Sequence, residues 1–234
     1  YFALHAWQSK LFQPWQMITH MFLHGDFGHI LGNMFALWMF GSVLENVWGP
    51  KRFLLFYILC GVGASVLHLL ILSYEFVPMA SDLMRLSQMS VSGSPDFNKA
   101  VLEYAKDHNI QLTRILSENN VSLATPGIRA EIMELLTTYY NKTLNTATLG
   151  ASGAVFGIIM AFVYLFPNTL IYIYFFFPIK AKWLGILYFS YELFFAVRNT
   201  AGDNVARWAH VGGAIVGFIL VYLWSKKERN NRWN

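Results

Sequence analysis

Leu149-Gly150-Ala151-Ser152-Gly153-Ala154-Val155-Phe156-Gly157-Ile158-Ile159-Met160-Ala161-Phe162-Val163-Tyr164-Leu165-Phe166 is a run of eighteen residues without a charge, and it opens on a serine set among small residues. Its length approaches the roughly 20 residues that carry a helix across a bilayer. In a soluble helix each glycine would cost about 1 kcal/mol relative to alanine. Between membrane helices the same glycines let two backbones approach closely. The run therefore predicts a membrane helix that packs tightly on a neighbour through its glycine face.

Four further segments have the same character, at about 29–47, 53–72, 183–197 and 208–224. The 234-residue chain is 56% hydrophobic and 13% charged, against roughly 25% charge in a soluble domain. Its mean hydropathy is +0.40. In lipid every backbone polar group must be satisfied internally, so the expected architecture is an all-α, polytopic membrane helix bundle. The net charge of +4 comes with no long basic run and is read as loop topology, not nucleic-acid binding. The single cysteine, Cys60, excludes an intrachain disulfide.

Basic residues set the expected orientation. Lys51 and Arg52, then Lys180 and Lys182, then Lys226, Lys227, Arg229 and Arg232 follow alternate span ends, which places them on one, cytoplasmic, side. The other side then receives the N-terminal segment, the 73–148 stretch and the 199–207 loop. With the C-terminus inside, five spans put Tyr1 outside, so a preceding span is expected beyond this sequence. The 73–148 stretch holds eight of the thirteen acids and six of the seventeen bases. It reads as an extracytoplasmic helical insertion, with helices at 96–109 and 128–144 opening after Pro95 and Pro126. The expected division is 1–72, a first loop and two spans; 73–148, the insertion; 149–225, three spans; and 226–234, a cytoplasmic tail.

Polar side chains inside spans are costly and default to functional hypotheses. Ser152 opens one span, where a helix start supplies free N–H groups to an anion. A serine among glycines is also what a simple helix crossing uses. In Trp208-Ala209-His210-Val211-Gly212-Gly213-Ala214-Ile215-Val216-Gly217, Gly213 and Gly217 share the helical face of His210. A lone membrane histidine can be an interhelical hydrogen-bonder. Ser and His together on one side, each beside a glycine face, make a nucleophile and its base. His29 and Asn33 are four residues apart on one helical face and can both donate to an oxyanion. His20, His24, Asp26 and His29 have donor types that suit zinc, but no His-Glu-x-x-His is present, and neither a metal nor another cofactor is expected.

The three motifs, His-x-x-x-Asn, Gly-Ala-Ser-Gly and Ala-His-x-x-Gly-x-x-x-Gly, resemble in order those of the rhomboid family of intramembrane serine proteases. The resemblance covers the five spans. It implies a six-helix fold of which five spans are present, with 1–23 matching the loop after the first. By resemblance Ser152 is the nucleophile and His210 the base of a dyad without an acid, and His29, Asn33 and the Ser152 N–H form the oxyanion hole. Gly150, Gly153, Phe156, Gly213 and Gly217 fall at structural positions beside them. Phe156 stands where many members have tyrosine, and Gln16 where many have arginine. Substrates would be single-pass membrane proteins cut within or near their spans, and a bacterial type would lie in the cytoplasmic membrane with its site open to the extracytoplasmic side. Two rival readings are a catalytically dead relative that binds membrane clients and a channel. The first typically lacks the serine or the histidine. The second needs polar residues through the full depth of several spans. His68 and Glu192 are further polar residues within spans, and interhelical hydrogen bonding is the expected role of both.

Overall fold

The computed structural model describes residues 1–119, 122–123, 127–173, 177–198 and 206–231. The predicted tail after 231 and most of the 199–207 loop lie outside them, as do Thr125 and Pro126. The N-terminal segment crosses one end of the molecule, tied by a bridge between Leu4 and Thr148 (Leu4 N to Thr148 O, 3.0 Å; Thr148 N to Leu4 O, 2.7 Å). It then folds into the short helix α1 (Gln16–Thr19) and a 3-10 turn, His20–Phe22. Gln16 is fully buried. Its Oε1 accepts from the His5 N–H, and its Nε2 donates to the Leu11 carbonyl at 2.9 Å. Gln16 thus anchors this loop as a neutral amide.

The first span is one helix built of α2 (Phe27–Ala36), a wider π turn at Leu37–Gly41, and α3 (Ser42–Trp48). Asp26 caps it, accepting from the His29 N–H at 2.8 Å, which satisfies one of the unpaired first-turn donors. Gly49, at φ +78°, ends it, and Pro50 opens α4 (Pro50–Ser92). Helix α4 has 43 residues, roughly 65 Å and about twice the hydrocarbon thickness. It passes without a break through the expected span end at 72 and continues as the backbone of the insertion. Phe76, Met79, Leu83 and Leu86 of this extension form a stripe that joins α5 (Phe97–Asp107), α6 (Leu112–Glu118) and α7 (Arg129–Leu144) in a separate apolar core around Phe97, Val101, Ile132 and Leu136. Arg129 lies over the Phe97 ring at 5.2 Å.

Helix α8 (Ser152–Leu165) is only 14 residues, roughly 21 Å. It packs chiefly on α10 (Arg207–Asn231) and α4. After it come two antiparallel strands, β1 (Leu170–Ile173) and β2 (Phe177–Lys180), paired Leu170 to Lys180, and then α9 (Ala181–Arg198). The two strands are a small addition to the otherwise helical fold. Phe27–Trp48, Pro50–Ser92 and Arg207–Lys227 are long and apolar enough to cross a membrane. Trp38, Leu54, Leu187, Phe194 and Ile219 are exposed large apolar side chains on the span helices, as a lipid-facing surface requires. The basic end is held together by Arg52, whose guanidinium lies 4.4 Å from the Trp224 ring and 5.8 Å from that of Trp48. Ser152, His210 and the His20–His29 segment lie toward the opposite end.

Candidate active site

The helix crossing decides where Ser152 and His210 meet. On α8 and α10, Gly153, Gly157, Gly213 and Gly217 face one another. A Cβ added at Gly217 would stand 2.6 Å from Gly157 Cα, and one at Gly157 would stand 2.9 Å from the Gly213 carbonyl. One at Gly213 would overlap the Gly153 carbonyl. The two backbones therefore touch. The contact brings the first residue of α8 onto the first turn of α10, where His210 Nε2 and Ser152 Oγ are 2.8 Å apart.

The rest of the imidazole is also held. His210 Nδ1 is 3.0 Å from Glu192 Oε2 of α9. A carboxylate can only accept, so Nδ1 carries the proton and Nε2 presents its lone pair to the Ser152 hydroxyl. Phe156 stacks on the ring at 4.4 Å and 10° between planes, and itself touches Tyr188 at 4.8 Å. Phe156 thus covers one face of the imidazole.

Opposite them, Asp26 holds the first turn of α2, and His29 and Asn33 project from its face. The His29 ring lies against Gly150. That residue has φ +118°, a region L side chains rarely adopt, and a Cβ there would stand 2.6 Å from His29 Nε2. The chain at Gly150 is also pinned by its N–H to the His20 carbonyl at 3.0 Å. His20 is buried and donates through Nδ1 to the Gln16 carbonyl, and His68 Nε2 lies 2.9 Å from Thr148 Oγ1. Asn33 is buried, and its Nδ2 has no hydrogen-bond partner among the described residues. Among the described residues no side chain caps the start of α8, which leaves the first-turn N–H groups beside Ser152 without a side-chain acceptor there. His20, His24, Asp26 and His29 do not converge on a point: no group of three or more His, Cys, Asp or Glu that could hold a metal exists among the described residues.

Ser152, His210, His29 and Asn33 all line one cavity of about 1820 Å³. Its walls are mostly apolar, and Asp107, His108 and Asn109 of the insertion reach its rim. His108 is held there by Asp82 at 2.9 Å. Sequence reading alone missed the link from Glu192 to His210. The signal was present, since a buried acid in a span demands a partner, but nothing local in the pattern says which helix supplies it.

The fold and site define a helical membrane protein whose bundle encloses a serine–histidine pair facing a shared cavity. Comparison with known proteins places it more closely. The family described as Rhomboid domain matches residues 11–81 and 119–227, and the chain belongs to the rhomboid family. It is 28% identical over 87% of its length to the mitochondrial RHOMBOID-like protein 12 of Arabidopsis thaliana, covering 44% of that protein. It is 26% identical over 92% of its length to the uncharacterized mitochondrial rhomboid protein P4H10.10 of Schizosaccharomyces pombe, covering 52% of it. Over 29% of the chain it is 34% identical to the rhomboid protease GluP of Bacillus subtilis, covering 12% of that protein. The chain thus spans about half the length of the first two relatives. No solved structure matches it.

Proposed function

We propose that the chain is the core of an intramembrane serine endopeptidase that cuts single-pass membrane proteins within or near their spans. The observation that carries the reading is the 2.8 Å approach of His210 Nε2 to Ser152 Oγ at the wall of a cavity shared with Asn33. His210 takes the hydroxyl proton as Ser152 Oγ attacks the scissile carbonyl. The tetrahedral oxyanion accepts hydrogen bonds from Asn33 Nδ2, His29 and the Ser152 N–H. The imidazolium then returns the proton to the leaving amine, and an acyl-enzyme remains. A water entering the cavity gives a proton to His210 as its oxygen attacks the acyl carbon; the second tetrahedral intermediate then breaks its bond to Ser152 Oγ, which takes that proton back from His210 as the new carboxyl terminus leaves. The amide of Asn33, unpartnered among the described residues, supports this reading: leaving a buried donor unpaired costs about 1–3 kcal/mol, and an oxyanion bound in the cavity would give it a partner.

The relatives' names favour a mitochondrial membrane over the bacterial cytoplasmic membrane that the resemblance first implied. The insertion at the cavity rim is read as a selector of substrates. Cleavage of a single-span test substrate by the full-length protein in liposomes tests the chemistry. Ser152→Ala and His210→Ala are expected to lose at least about 10³-fold in kcat. Wild-type cleavage by both variants, or fluorophosphonate labelling that persists in Ser152→Ala, overturns the assignment. Imaging a tagged full-length protein beside a mitochondrial marker tests the membrane.

A further inference from the structure

Glu192 is 4% exposed, in the middle of α9. Taking a carboxylate out of water costs several kcal/mol unless opposite charge and hydrogen bonds compensate. Two groups of α10 do so: Arg207, whose NH1 is 3.4 Å from both carboxylate oxygens, and His210, whose Nδ1 is 3.0 Å from Oε2. Arg207 is itself positioned over the rings of Tyr191 (5.6 Å) and Phe195 (5.2 Å), which flank Glu192 on α9. An interhelical tie would need only the Arg207 pair. The shorter contact goes instead to the imidazole, and to the nitrogen opposite the one that meets Ser152.

We infer that Glu192 is a positioning residue for the proposed reaction, converting the Ser152–His210 pair into a Ser–His–Glu relay. The inference rests on the proposed peptidase reading and goes beyond the dyad that the family resemblance implies. Glu192 fixes the tautomer with the proton on Nδ1, aims Nε2 at the hydroxyl and stabilises the imidazolium that forms during attack. It takes no proton itself. Arg207 holds the carboxylate in place from the other side. Among the described residues, the titratable and charged groups around His210 are Glu192 and Tyr188 of α9, Arg207 on its own helix, and His68 of α4 across the cavity.

The test compares wild type, Glu192→Gln and Glu192→Asp, as full-length protein in liposomes, with Ser152→Ala and His210→Ala alongside. Glu192→Gln keeps the shape and removes the charge. The expected result is a loss of kcat of about 10²–10⁴-fold with KM within twofold. The acid limb of the kcat–pH profile is expected to move, because the substitution takes away the charge that faces Nδ1. The rate of fluorophosphonate labelling of Ser152 falls in parallel. A folded Glu192→Gln with wild-type kcat overturns the inference, and so does a loss of kcat with the acid limb unmoved, which marks packing alone. Should Glu192→Gln not fold, Glu192→Asp decides. It keeps the Arg207 pairing but withdraws the carboxylate by one methylene, so kcat falls less steeply than in the Gln variant; unchanged kcat overturns the inference. If Ser152→Ala and His210→Ala remain active, the proposed function fails. If they are dead while Glu192→Gln behaves as wild type, only the relay fails.

Discussion

Asn33 states the residue-scale case most clearly. It is buried with its amide nitrogen unpartnered, and it faces the cavity that Ser152 lines. Asn33→Ala is therefore expected to lower kcat by about 10²–10³-fold, the usual loss for one oxyanion donor, with little change in thermal stability. A kcat within threefold of wild type would remove Asn33 from the oxyanion site. His20 gives a prediction in pH. Burial holds its pKa below the ordinary histidine value of 6.5, the Gln16 carbonyl bond opposing this in part. The folded state then binds fewer protons than the unfolded state as pH falls below 6.5. The stability that neutral His20 contributes is complete above 6.5 and is lost as pH falls through that value toward the lower folded pKa. The melting temperature of wild type in bilayer mimetics should drop between pH 7.5 and 5, and His20→Gln should flatten that drop. An equal slope in both would contradict it. Ser152, His210, His29 and Asn33 were legible in the sequence because a polar side chain in an apolar span stands out. The partners of Gln16 and Glu192 were not, because their bonds join segments whose relative placement only the packed bundle fixes.

At the scale of elements, the glycine faces on α8 and α10 were readable as a 3.6-residue pattern, and the structure puts them against each other. Their role gives a sharp contrast. A side chain at Gly217 meets the Gly157 backbone, which cannot yield, whereas a Cβ at Gly32 meets nothing within 4 Å. Gly217→Val is expected to destabilise the bundle by at least about 1–3 kcal/mol and to reduce cleavage, because the crossing that aligns Ser152 with His210 opens. Gly32→Ala should leave both unchanged. Unfolding in a detergent titration, with cleavage assayed in parallel, checks the pair; equal behaviour of the two variants would refute the crossing as the aligning element. The five apolar segments and the helices after Pro95 and near Ile128 were found by periodicity and punctuation. The second half of α4 was not. Pro78, Asp82 and Arg85 interrupt the apolar run there, yet Phe76, Met79, Leu83 and Leu86 recur at helical spacing and bury against α5 and α7. Tertiary packing there overrides the local signals. The strands Leu170–Ile173 and Phe177–Lys180 were missed because a short apolar run does not declare its own secondary structure.

At the scale of the molecule, α4 makes the bundle and the insertion parts of one rod. Residues at its membrane end back the α8–α10 crossing, where Ala64 meets the position of a Cβ on Gly153, and its far end carries the insertion core. The insertion brings Asp107, His108 and Asn109 to the cavity rim, while the contacts that hold the Gly150 loop come from Leu4, His20 and His68. The rim contacts and the ties on the Gly150 loop thus come from separate pieces. Excising insertion residues while retaining 144–151 preserves the Thr148 ties, so the bundle should still fold and fluorophosphonate should still label Ser152 at a rate within about threefold of wild type. Discrimination should change instead: the ratio of kcat/KM for two single-span substrates that differ only in their extramembrane flanks is expected to shift by about tenfold or more, since each lost rim contact is worth roughly 1–3 kcal/mol of selectivity. Loss of labelling in a deletion that still unfolds cooperatively would mean that the insertion holds the site itself. An unchanged ratio would mean that it merely covers the end of the bundle.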